Sequence, residues 1–242
     1  MEGISDTAKS TGTPDTSLYD RGEPGEGDNM KCSRESLLLY AVTDRTWLGE
    51  ASLAEQVDAA LKGGATFIQL REKHLDEQSF IREAKEIKEL CKKYRVPFVI
   101  NDNVDLAVQA DADGVHVGQS DMEALEVRRR LGADKIIGVS AKTVEQAVLA
   151  QEHGADYLGV GAVFPTDTKR DAAEVDRAAV KAICESVHIP VIAIGGISEG
   201  NVLQLAGNGL AGIAVVSGIF AQQDIENAAA RLRELAERMV NG

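Results

Sequence analysis

Eight short apolar runs, each followed by a segment with apolar residues at three-to-four spacing, organise the chain from residue 37 onward. The runs are 37–42, 66–70, 97–100, 114–117, 135–139, 157–160, 190–194 and 212–216; the periodic segments are 52–62, 78–94, 104–109, 122–131, 143–153, 176–187, 199–207 and 222–239. Short apolar runs of this length read as strands, and the intervening periodicity reads as amphipathic helix. A helix after every strand returns the chain to the same end of the sheet, so the strands must be parallel. Eight such units predict an α/β fold of one kind, a closed (β/α)8 or TIM barrel. An open doubly wound sheet is the alternative, but its glycine fingerprint is missing: after Gly159 and Gly161, Phe164 stands where the third glycine would be. Gly63-Gly64, Gly132, Gly154 and Gly207 close helical segments, and Thr143 and Ser198 are candidate N-caps.

Residues 1–35 differ in kind. They are rich in Gly, Ser, Thr, Pro and acids, and read as a disordered acidic tail ahead of a barrel domain spanning 36–242. With eight acids and four bases, the tail carries −4 of the formal net charge of −13. That acidic excess argues against nucleic acid as a partner. No apolar stretch is long enough to span a membrane, and no secretory signal pattern opens the chain, so no membrane association and a cytoplasmic location are expected. Cys32, Cys91 and Cys184 are odd in number and far apart, which points to neither a disulfide framework nor structural zinc. The sequence is compatible with a homo-oligomer.

In a parallel barrel the chemistry gathers at the C-terminal strand ends, so the polar residues that close each run are the informative ones. In the second strand, period-2 alternation places Gln69, Arg71 and Lys73 on one face and Ile68 and Leu70 on the other. The outer face must be apolar to meet helices, so the amide and both cations point to the mouth. Two cations converging there repel one another unless an anion joins them, which a phosphorylated ligand would do; a solvated strand end is the plainer alternative. Asp102 and Asp121 close the third and fourth runs, with Asn101 alongside. A few hard oxygen donors beside phosphate-binding cations suit magnesium, whereas capping of the following helices is the competing explanation for each carboxylate. His116 lies mid-strand and reads as a packed, hydrogen-bonded histidine. After the sixth strand come Thr166, Asp167, Thr168 and Lys169; after the seventh, Gly195-Gly196; after the eighth, Val216-Ser217. Hydroxyls, an ammonium and unobstructed backbone N–H groups there are acceptable phosphate donors.

Taken in order, Gln69 to Lys73, Asn101-Asp102, Gly114 to Gln119 with Asp121, Gly138 to Ser140, Pro165 to Lys169, Ile194 to Ile197 and Val216-Ser217 resemble the motifs of the thiamine-phosphate synthase family over roughly residues 37–240. The resemblance implies a barrel enzyme that takes two small phosphorylated substrates, joining a pyrimidine diphosphate to a thiazole phosphate with release of pyrophosphate. It implies that Gln69, Leu70, Arg71, Glu72, Lys73, Asn101, Ser140 and Lys169 hold the pyrimidine diphosphate. Thr166, Asp167, Thr168, Gly196, Val216 and Ser217 would hold the thiazole phosphate, and Asp102 and Asp121 one Mg2+ per subunit. Arg71, Lys73, Lys169 and Ser140 would carry catalysis. The chain departs from the family pattern at Asn103, and at Ala162, where Pro is common. A thiazole tautomerase that shuttles a proton with a histidine is the nearest rival, and a non-catalytic phosphate sensor is the rival from another class.

Overall fold

The computed structural model describes residues 32–166 and 174–242. Eight parallel strands close into a barrel in chain order: β1 Leu39–Val42, β2 Phe67–Leu70, β3 Phe98–Asn101, β4 Gly114–Val117, β5 Ile136–Ala141, β6 Tyr157–Gly161, β7 Val191–Ile194 and β8 Gly212–Val215, with β1 pairing back onto β8. The open-sheet alternative is thereby excluded. Helices α1 Leu53–Lys62, α2 Glu77–Tyr94, α3 Val104–Gln109, α4 Ala124–Leu131, α5 Val144–Glu152 and α6 Arg177–Ser186 follow β1 to β6. A short α7, Ser217–Phe220, and a long α8, Ile225–Asn241, follow β8. The helix starts are chemically marked: Ser52 and Glu55 form a reciprocal capping box on α1, and Thr143 caps α5 through Gln146 N.

The helix expected over 199–207 is reduced to a 3-10 turn, Val202–Leu205. Its would-be first turn is diverted, because Asn201 accepts from Ser198 N at 2.8 Å and donates to Gly196 O at 2.8 Å. That side chain braces the glycine loop after β7 instead of starting a helix.

Alternation along each strand builds two cores. Ile68 and Leu70, Ile100, Val115 and Val117, Leu158 and Val160 face the helices. Tyr40, Val42, Phe67, Val99, Tyr157 and Ile192 fill the barrel itself. Cys32 belongs to this inner cluster at 4% exposure, and Arg34 donates to Leu210 O at 2.9 Å. Residues 32–35, read from sequence as the end of a tail, therefore pack against the domain: one apolar side chain enters the inner core and one guanidinium satisfies a loop carbonyl.

The rings inside the barrel are large, and glycines on neighbouring strands make room for them. Gly138 pairs with Tyr157 across β5 and β6, and a Cβ on Gly138 would lie 2.1 Å from Tyr157 Cζ and 2.5 Å from His116 Nδ1. Gly138→Ala should therefore destabilise the protein by about 1–3 kcal/mol, read as a lower midpoint in chemical denaturation; an unchanged midpoint would show that the inner layer is loosely packed.

Candidate active site

The C-terminal strand ends surround a cleft of about 440 Å³. Gln69, Arg71, Lys73, Asn101, Asp102, Asp121, Ser140, Thr166, Gly196, Val216 and Ser217 all border it. Residues scattered over 149 positions of sequence thus meet because each closes a strand of one barrel. Asp167, Thr168 and Lys169 lie outside the described residues. A separate hollow of about 640 Å³, lined by residues including Glu77, Asp105 and Arg130, lies away from the strand-end cations.

On β2 the expected alternation holds: Gln69 is buried inside the barrel, and its Nε2 donates to Tyr40 Oη at 2.7 Å. Arg71 reaches the cleft already paired, with Nη1 3.1 Å from Asp44 Oδ2. The strand-end cations are thus partly balanced by a resident carboxylate, a partner the sequence reading did not identify. The side chains of Leu70 and Glu72 are not brought to the cleft. Leu70 is fully buried on the helix-facing side, because period-2 alternation turns it away from Gln69 and Arg71. Glu72 pairs with Arg45, which also binds Glu83 at 2.6 Å, and Glu72 Oε1 accepts from the backbone N–H groups of Lys73 and His74 at 2.8 and 3.0 Å. It shapes the loop that carries Lys73 rather than facing a ligand.

Neither acidic residue caps a helix. Asn103 caps α3, accepting from Leu106 N at 3.0 Å, which gives the family-atypical Asn103 a structural role. The start of α4 has no side-chain cap at all, and Asp121 Oδ2 instead accepts from Gly118 N at 2.7 Å. Asp102 adopts a left-handed φ of 62°, and its Oδ2 accepts from Asn101 Nδ2 at 2.6 Å. A non-glycine residue held in that region is strained backbone retained next to a polar cleft. Oxygen donors on adjacent strand ends, neither spent on capping, are the donor chemistry a magnesium ion accepts.

The remaining strand ends are built for close approach. Gly195 and Gly196 have φ of 98° and 66°, and a Cβ on them would lie 2.5 Å from Ala162 Cβ and 2.4 Å from Pro165 O, respectively. His116 is the packed, bonded histidine expected, with Nδ1 2.9 Å from Tyr157 Oη and Nε2 3.0 Å from Ser140 Oγ; its ring also borders the cleft. Sequence reading missed Tyr40, Tyr157 and Lys142. Lys142 borders the cleft two residues beyond Ser140, and the two phenols sit on interior strand positions. A phenol on the inner face of a barrel strand needs a buried partner, which is the signal that could have singled them out.

The model of the thiamine monophosphate synthase family matches residues 39–219. A thiamine-phosphate synthase of Ruminiclostridium cellulolyticum is 48% identical over 203 residues, covering 84% of this chain and 97% of its own length. One from Clostridium tetani is 46% identical over 204 residues, covering 84% and 95%. The chain belongs to the thiamine-phosphate synthase family. The solved structure of a Pyrococcus furiosus thiamine phosphate pyrophosphorylase superposes with a TM-score of 0.79 at 38% identity, covering 86% of this chain and 98% of that one. The barrel is therefore that of a transferase of thiamine biosynthesis. Among the described residues, no helix is long and apolar enough to cross a membrane.

Burial alone would push the Glu72 carboxyl up, but the Arg45 guanidinium and the amides of His74 and Lys73 outweigh it and hold the group below its ordinary value of 4.5. A carboxylate held low stabilises the fold fully above its unfolded value and loses that contribution as pH falls through the folded value. Glu72→Gln should cost about 1–3 kcal/mol at neutral pH. In denaturant titrations at successive pH values, its deficit against the parent should shrink once pH drops below 4.5; a deficit constant with pH would show that the charge is not what matters.

Proposed function

We propose that the cleft binds hydroxymethylpyrimidine diphosphate and a thiazole phosphate together and joins them into thiamine phosphate, releasing pyrophosphate. The observation that carries this reading is the division of one cleft into two ends. Arg71, Lys73, Asn101, Asp102, Asp121 and Ser140 lie on the β2-to-β5 side, and Gly195, Gly196, Val216 and Ser217 lie after β7 and β8. The first end suits a diphosphate. The second, where side chains are small or absent, lets backbone N–H groups approach a monophosphate.

The reaction is dissociative: the C–O bond between the pyrimidine methylene and the diphosphate breaks first, its electron pair leaving with pyrophosphate. The thiazole nitrogen then supplies its lone pair to the resulting cation and forms the C–N bond. No side chain has to act as nucleophile. What the chain supplies is position and charge: Arg71 and Lys73, which border the cleft, and by family resemblance Lys169, would stabilise the growing negative charge, while Gln69, Asn101 and Ser140 would orient the pyrimidine substrate. Preorganised donors of this kind are each worth about 10² to 10³ in rate. Thr166, Thr168, Gly196, Val216 and Ser217 would hold the thiazole phosphate within reach of the cation. Asp102 and Asp121 would hold a single magnesium ion, which when bound adds positive charge at the diphosphate oxygens.

Incubating the purified chain with both phosphorylated substrates and magnesium should yield thiamine phosphate and pyrophosphate by mass spectrometry; binding of both substrates without product would exclude the transferase reading. Asp102→Ala should lose at least about 10²-fold in kcat and require more magnesium for half-maximal rate. An unaltered magnesium titration would remove Asp102 from the metal site. Gly196→Ala, placing a Cβ 2.4 Å from Pro165 O, should raise KM for the thiazole phosphate by about tenfold or more and leave KM for the pyrimidine diphosphate nearly unchanged. Equal changes in both would contradict the two-ended cleft.

A further inference from the structure

Five side chains form one hydrogen-bonded line across the barrel. Gln69 Nε2 donates to Tyr40 Oη at 2.7 Å; Tyr40 Oη is 2.8 Å from Tyr157 Oη; Tyr157 Oη is 2.9 Å from His116 Nδ1; and His116 Nε2 is 3.0 Å from Ser140 Oγ. The line starts on β2 and ends at Ser140 on the cleft wall.

The first link sets the sense of all the others. A carboxamide nitrogen can only donate, so Tyr40 Oη accepts there and gives its own proton to Tyr157. Both phenols are fully buried, and burial pushes each well above the ordinary tyrosine range, so both remain proton carriers. Tyr157, having accepted from Tyr40, donates to His116 Nδ1. A ring nitrogen that accepts carries no proton, which makes His116 a neutral imidazole protonated on Nε2, and that proton goes to Ser140 Oγ. The serine oxygen then accepts from the ring, so its own O–H is not spent on His116 and can donate into the cleft.

We propose that His116, locked by the Tyr40–Tyr157 pair, is a positioning residue that turns the Ser140 hydroxyl into a hydrogen-bond donor aimed at the diphosphate. This rests on the substrate assignment made above and adds the device that orients one of its donors. Reversal of the line would have opposite chemistry. Ser140 would donate to His116 and present a lone pair to an anion, which repels the leaving group just as its charge grows. Both ring nitrogens of His116 are engaged, one accepting from Tyr157 and one donating to Ser140, which fixes the ring and its tautomer.

The tautomer can be read without substrate. In full-length protein carrying 15N-histidine, the long-range proton–nitrogen spectrum should show His116 with Nδ1 unprotonated and Nε2 protonated. His116→Gln identifies the signals against those of His74, His153 and His188. A proton on Nδ1 overturns the proposal whatever the enzyme makes. Kinetically, Tyr157→Phe should lower kcat about tenfold, a fraction of the loss from deleting a donor outright, with little change in KM, and should cost almost nothing further once Ser140 is already Ala. Equal losses in both backgrounds would mean that Tyr157 acts on the fold and not through Ser140, overturning the proposal. Gln at position 116 can present its amide nitrogen where Nε2 stood, so His116→Gln should retain kcat within about threefold, whereas His116→Leu should fall as far as Ser140→Ala. Thermal melts establish that each variant is folded, and a His116→Leu enzyme as fast as the parent overturns the proposal.

Discussion

The contact between the Tyr40 and Tyr157 hydroxyls, 2.8 Å apart across the barrel, is the interaction on which the rest of the site stands. Two phenols buried completely would be costly without partners, and each is the partner of the other. Their rings, with Phe67 between centroids 4.4 and 5.6 Å away, fill the inner layer beneath the mouth. The glycine at position 138 is the complement of that stack, since a side chain there would occupy the space of Tyr157. The barrel thus has an aromatic floor whose upper surface is polar, and Gln69, His116 and Ser140 are held by it at fixed heights.

Above the floor the mouth is a balance of charges. Arg71 enters it braced by Asp44, and Lys73 is carried on a loop that Glu72 and Arg45 pin from outside. Asp102 and Asp121 bring negative charge to the neighbouring strand ends. An acidic protein can therefore bind anionic substrates: its net charge of −13 describes the whole chain, while the cleft concentrates Arg71, Lys73 and Lys142 in one place. Position and electrostatics are also all that a reaction proceeding through C–O cleavage asks of the chain.

Most of the architecture is legible in the order of residue types. Six of the eight expected helices after strands appear within a residue or two at either end, because their amphipathic periodicity and caps are local properties. The segment 199–207 misled because its periodicity is real, with Val202 and Leu205 buried, while Asn201 is recruited by Ser198 and Gly196 in a loop that only the tertiary fold creates. The strand-end residues were legible for a similar reason: a barrel of eight parallel strands gathers its C-terminal ends, whatever their separation in sequence. Glu72 and Leu70 show the limit of reading by proximity, since alternation and the pull of Arg45 turn them away from neighbours that do face the cleft.

By itself the sequence determined the eightfold repeat, the inward and outward faces of each strand, and the set of polar groups that would meet at the mouth. Those follow from periods of two and 3.6 residues, which are written in the order of residue types. Only the tertiary structure decided how those groups pair. That Gln69 speaks to Tyr40 and not to a ligand alone, that Asn103 frees Asp102 from capping, and that Tyr157 and Ser140 hold opposite edges of His116 depend on distances across the barrel. A hydrogen bond requires two atoms within about 3 Å, and for side chains on strands far apart in sequence, that distance is set by barrel closure.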